Sequence, residues 1–173
     1  MGREIRRVPP NWEHPKVSCY DTTGRKRGDY QPMYDEPFAP AMREWFKKWE
    51  AWERGERPEG AEDCPAFWDW SGLPPDPIYY RPDWSEHEAT WYQVYQTVSE
   101  GTPVTPPFET QEELVEYLVQ NGDFWDQRRG DGGWSRAAAE QFVKTTWAPS
   151  LVILGADVRA PRDGMPPTEG ATP

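Results

Sequence analysis

Residues 102–150 read TPVTPPFETQEELVEYLVQNGDFWDQRRGDGGWSRAAAEQFVKTTWAPS. Two helices can be read here from their own start and stop signals. The first opens with the capping box Thr110-Gln-Glu-Glu113, in which a hydroxyl and a carboxylate satisfy the free N–H groups of the first turn. Leu114, Tyr117 and Leu118 form its apolar side, and Gly122 follows at the position where helices end. The second runs from Ser135 to about Trp147, with Ala138, Ala139, Phe142, Val143 and Trp147 facing inward and Pro149 beyond its end. A Gly/Asp/Arg loop joins the two.

The same spacing argument extends upstream. Between Pro37 and Arg54 the apolar residues Phe38, Met42, Trp45, Phe46, Trp49 and Trp52 recur three and four apart, which predicts a helix with Trp49 at the centre of its buried face. Glu44–Lys48 and Glu50–Arg54 add favourable pairs four apart. A further helix is predicted from Ser85, where Ser85-Glu-His-Glu88 forms a capping box. Trp91, Val94, Tyr95 and Val98 then follow at helical spacing. The expected fold is mainly α, with about four short helices around an aromatic core and long Pro/Gly-rich irregular segments.

Composition supports an aromatic interior. Only 36% of residues are hydrophobic, but 11 Trp, 8 Tyr and 6 Phe are available as large anchors, and 20 Pro with 14 Gly leave much irregular chain between elements. One compact domain is expected over 1–155, with 1–34 as a basic extended arm docked on it. Residues 156–173 read as a loose tail, and Leu151–Leu154 as an edge strand or docking segment. The proline- and aromatic-rich segment 56–83 is either a cover over the core or a binding surface.

Charge is unevenly distributed. The chain carries a formal −11, yet residues 1–34 are net basic and residues 35–126 hold all of the acidic excess. From Pro82 through Gln127 there is no Lys or Arg, while ten carboxylates occur. Such a surface repels nucleic acid and suits a basic protein groove. The arm with Arg3, Arg6 and Arg7 is better read as packing on the chain's own aromatic and acidic groups than as a nucleic-acid contact. No apolar run is long enough for a membrane span or a secretion signal. Two cysteines make no disulfide framework, and the expected setting is a reducing cytoplasm.

Catalytic motifs fail one by one. His87-Glu88 begins like HExxH, but Trp91 stands where the second imidazole is needed. His14, Cys19, Cys64 and His87 match no zinc spacing. Ser71 lies in no nucleophile elbow, and Gly130-Asp-Gly-Gly133 is too short and acidic to cradle phosphate. Carboxylate pairs such as Asp69/Asp76 and Asp123/Asp126 are expected by chance in so acidic a chain. The sequence therefore predicts no enzyme and no cofactor.

Taken together, GREIRRVPPNWEHP, YQPMYDEPF, TPPFETQEELVEYLVQNG and WSRAAAEQFVKTTWAPSLVI resemble a group of small uncharacterised proteins of tailed bacteriophages and prophages, over most of residues 2–153. The resemblance implies a phage gene acting in the infected bacterium and brings no catalytic residue with it. The leading expectation is an accessory protein that binds and inhibits or redirects a host protein, such as a CRISPR effector. Its candidate partner-binding residues are Glu86, Glu109, Glu112, Glu113, Glu116, Asp123, Asp126, Arg128 and Arg129. The alternatives are a structural or assembly component of the virion, and a nucleotide or small-ligand binder with Arg128 and Arg129 on a phosphate.

Overall fold

A computed structural model describes residues 2–18, 26–97, 101–149, 152–154 and 157–159. In chain order its elements begin β1 (Gly2–Val8), β2 (Tyr34–Pro37), α1 (Phe38–Glu53), α2 (Phe67–Ser71), β3 (Tyr80–Arg81) and β4 (Trp91–Gln96). They continue β5 (Thr102–Pro103), α3 (Gln111–Asn121), α4 (Phe124–Arg129), α5 (Arg136–Thr145), β6 (Trp147–Pro149), β7 (Val152–Leu154) and β8 (Asp157–Arg159). The mainly α expectation is overturned: a four-stranded antiparallel sheet, ordered β5-β4-β1-β6, makes this a mixed α/β fold. The chain also divides into two compact units where a single domain over 1–155 was expected. One unit takes the described parts of 1–32 and 84–173, the other 33–83.

In the first unit the expected helix after Ser85 is a single turn. Glu88 closes on Ser85 through the backbone N–H and the hydroxyl, both at 2.8 Å, and the chain then leaves as a strand. Trp, Tyr and Val suit a pleated surface buried on both sides, and β4 is such a surface. It pairs with β1 in the register Ile5↔Val94 and Arg6↔Gln93. Ile5, Tyr92 and Val94 face a core made by Leu114, Leu118, Trp134, Ala139 and Phe142 of the α3–α5 region. Gln93 and Tyr95 face the other way. The segment expected as a docked arm is thus an inner strand, with Arg3 and Arg6 buried.

The helices beyond follow local signals closely. Thr110 and Glu113 cap α3 reciprocally, and Ser135 Oγ accepts from Ala138 N at 3.2 Å to start α5. The expected loop between them contains α4. Asp123 accepts from the N–H groups of Trp125 (2.7 Å) and Asp126 (3.0 Å), while Asp126 accepts from Asp123 N at 3.0 Å. Helix α5 ends at Thr145, so Trp147 lies on β6 and is exposed rather than inward. Gly133 has a packing role: a Cβ there would sit 1.8 Å from the Val119 carbonyl oxygen. That close approach lets Trp134 N donate to Leu118 O at 2.9 Å. Near the end of the described chain β7 and β8 form a hairpin with Leu154 opposite Asp157; the rest of the expected tail lies outside the described residues.

In the second unit β2 and β3 pair in parallel, and α1 packs on a small cluster of Trp52, Ala61 and Phe67. Trp52 stacks on Trp70 at 6.3 Å, and the Arg57 guanidinium covers its ring at 3.8 Å. Trp49 is not the centre of this face. It is 37% exposed, edge-on to a still more exposed Phe46. The cluster reaches only the Trp45–Trp52 line of α1, two turns long, so Trp49, about a sixth of a turn to one side, stays partly in solvent.

Candidate partner-binding grooves

Leu114, Val115 and Leu118 turn one side of α3 into the core, which leaves Glu112 and Glu116, four residues apart, on the outer side. A groove of about 620 Å³ runs along it, floored by Trp91, Phe108 and Tyr117 and edged by Glu109, Glu112, Glu113 and Glu116. The Phe108 and Tyr117 rings lie 5.0 Å apart, an offset pair that stiffens the floor. Glu113 accepts from Thr110 N and Glu109 N, so its charge is held by the helix start. Glu116 reaches Arg136 at 2.7 Å on an exposed surface. Among the described residues, Glu109 and Glu112 form no ion pair. Glu112 lies in the first turn of α3, where the helix dipole favours a carboxylate.

The remaining candidates separate from this groove. Asp123 and Asp126 are 1% and 5% exposed, so they belong to the interior and not to an acidic surface. Asp123 pairs with the buried Arg3 at 2.5 Å, tying α4 to β1. Asp126 accepts from the Trp134 indole at 2.7 Å and from Arg129 at 2.8 Å. Arg129 also holds Asp131 at 2.6 Å, and that hydrogen bond raises its pKa further. Arg128 is exposed, with its guanidinium 5.7 Å over the Trp125 ring. Glu86 sits exposed on the turn after Ser85, outside the lining of the groove. Sequence reasoning read these acids as equivalent because it had no measure of burial. The signal that separates two of them was present: Asp123-x-x-Asp126 is itself a capping box.

A second and larger cavity, of about 750 Å³, opens next to the first and shares Pro107 and Tyr117 with it. Trp12, Tyr30 and Phe124 give it aromatic walls, and His14, Gln93 and Thr105 lie at its inner end. Sequence reasoning did not single it out, because its walls come from three distant segments. His14 Nε2 donates to the Gln31 carbonyl at 2.6 Å, and Nδ1 lies 3.2 Å from the Tyr95 hydroxyl. A carbonyl can only accept, so Nε2 carries a proton. Tyr95 also reaches Gln93 Oε1 at 2.9 Å, and Gln93 donates to the Thr105 carbonyl at 2.8 Å. Burial lowers the His14 pKa to about 4; the hydrogen bond to Gln31 opposes this, and the nearby Arg6 charge adds to it. The imidazole is therefore neutral at pH 7. Among the described residues the buried Trp12 indole N–H and the Gln31 side-chain Nε2 have no acceptor.

Other candidates have plain structural roles. Asp69 accepts from Ala66 N and Asp76 from Ile78 N, each closing a local turn. No group of three or more metal-ligating side chains forms among the described residues, and Cys19 lies outside them. No described helix is long and apolar enough to cross a membrane. Comparison with family models, with curated proteins and with solved structures gives no match for this chain.

Proposed function

We propose that this chain is a phage-encoded accessory protein whose α3 groove binds a basic segment of a host protein, inhibiting or redirecting that partner inside the infected bacterium. The observation that carries the reading is the pairing of exposed carboxylates with an aromatic floor. Glu109 and Glu112 offer charge without an ion pair among the described residues, and Trp91, Phe108 and Tyr117 offer ring faces to the same occupant. A Lys or Arg stem lies well on such rings while its head meets a carboxylate. A protein of the host's defence machinery with a groove or loop built to hold phosphates presents that basic chemistry, which favours a nucleic-acid-handling target such as a CRISPR effector.

Affinity capture from a bacterial lysate at increasing salt tests it. The wild-type chain retains a basic host protein at low ionic strength and loses it as screening grows. The double variant Glu109→Lys, Glu112→Lys retains none. If wild type captures nothing at low salt, or the double variant captures as well as wild type, the reading is wrong.

A second reading, a virion or assembly component, rests on a different observation. The second unit exposes Phe46, Trp49, Trp68, Leu73 and Ile78, an apolar surface large for 51 residues. Mass spectrometry of purified particles decides it: abundant copies support assembly, and absence removes it.

A further inference from the structure

We infer that the α3 groove and the His14 cavity are one track, and that the partner is a linear peptide segment with a basic half on α3 and one large apolar side chain seated beside His14. This inference rests on the proposed function for its basic half.

Continuity comes first. The two depressions share Pro107 and Tyr117 in their linings and so adjoin, which puts an extended chain leaving the acidic groove over Tyr117 at the mouth of the cavity. Their chemistry differs along that line. The α3 end is edged by four glutamates, with Arg136 paired to the last of them. The other end has Glu13 and Lys16 together at its lining, charges that cancel, and walls of Trp12, Tyr30 and Phe124. Charge therefore selects the occupant at one end and apolar area selects it at the other. Phe124 is 49% exposed and Tyr30 43% exposed, both unusual for rings that line a cavity, so a partner side chain gains contact area there. The cavity volume lies within the ~300–1,000 Å³ range of ligand sites and exceeds what one side chain fills, leaving room for the peptide backbone. Tyr117 stands between the two ends, with its hydroxyl accepting from Gln127 Nε2 at 3.0 Å. Its own phenolic proton is then available to a peptide carbonyl passing over the junction.

The test uses the full chain and three fluorescein-labelled synthetic peptides of equal length: one with a lysine cluster, one with a single Trp, and one with both, the spacing between them varied. Polarisation is expected to give at least tenfold tighter binding for the bipartite peptide than for the lysine peptide at one spacing. Phe124→Ser should bring the bipartite peptide down to the lysine-only affinity and leave the lysine peptide unchanged. Glu109→Lys with Glu112→Lys should weaken both lysine-containing peptides and spare the Trp peptide. Circular-dichroism spectra matching wild type establish that each variant is folded; for a variant that fails this, competition between the lysine and Trp peptides on wild type replaces it. Simultaneous binding without competition is expected, since the two ends are separate. If the lysine peptide binds and the bipartite peptide gains nothing at any spacing, the track is overturned and the acidic groove stands. If no lysine peptide binds, the groove reading falls as well.

Discussion

Lowering the pH from 7.5 to 4.5 is expected to destabilise the first unit through one residue, His14. Its side chain is buried, with Nε2 donating to the Gln31 carbonyl, and its pKa falls to about 4 against about 6.5 in an open chain. The sign follows from proton counts. Between those two values the unfolded chain binds a proton at this position and the folded chain does not, so stability rises with pH across that window. The lost stability accumulates as pH falls below about 6.5 and levels off near 4. Over the full window the difference is about 3 kcal/mol, from roughly 1.4 kcal/mol per pH unit for one proton. That is a large share of a typical ~5–15 kcal/mol total. Titratable and charged groups around the ring include Arg6, Tyr95, Tyr30 and, at the cavity lining, Glu13 and Lys16. Of these Glu13 and Lys16 are exposed. Urea unfolding followed by Trp fluorescence at several pH values, on wild type and on His14→Gln, isolates the effect. Glutamine can still donate to the Gln31 carbonyl but cannot titrate. The wild-type midpoint should fall more steeply than the variant's between pH 6.5 and 4.5. Parallel pH profiles for the two proteins would refute the assignment of a neutral, buried His14.

Three further outcomes are expected. Asp123→Ala removes the carboxylate facing the buried Arg3 and the cap of α4, and should cost about 3–5 kcal/mol by chemical denaturation; a loss under about 1 kcal/mol would mean that the pair is not buried in solution. Trp52→Ala should destabilise the second unit by about 3–5 kcal/mol, whereas Trp49→Ala should cost no more than about 1 kcal/mol, so thermal melts with the reverse order would restore Trp49 to the core. Gly133→Ala cannot be accommodated with its Cβ 1.8 Å from a backbone oxygen, and should give little folded protein by circular dichroism; a wild-type spectrum would show that the α3–α5 connection can move.

The helices α3 and α5 were legible because everything that starts and stops them lies within a dozen residues. Thr110-x-x-Glu113, Gly122 and Ser135 act on their own turns, and the structure uses each as the sequence suggests. The sheet was illegible for the opposite reason. β1 and β4 stabilise each other across some 85 residues of chain, and neither has a local signal that names its partner. Trp91, Val94 and Tyr95 fit a helical spacing and a strand pattern equally well over so short a run. What decides between them is that β1 offers a row of backbone partners and that the sheet is covered on both sides. The capping box at Ser85 is real chemistry, but it closes one turn and cannot carry a helix whose following residues gain more from pairing. Trp49 failed similarly: periodicity locates a stripe, and only the partner's width says how much of the stripe is covered.

The same distinction bears on function. Ten carboxylates without a single Lys or Arg looked like one acidic block, yet the fold sorts them by what each already does. Asp123 and Asp126 hold α4 against β1 and Trp134, Glu88 and Glu113 start turns, and Glu116 meets Arg136. Each of those has a structural reason to be acidic. Glu109 has no such role and Glu112 has only its place in the first turn of α3: their charges raise the self-repulsion of a chain that already carries −11, at the edge of a groove whose floor is aromatic. Two neighbouring charges with no ion pair among the described residues, set beside half-buried rings, are better accounted for by something outside the chain that neutralises them. The surface worth probing is therefore much smaller than the acidic block suggested, a few residues at the start of α3 and the cavity they lead into.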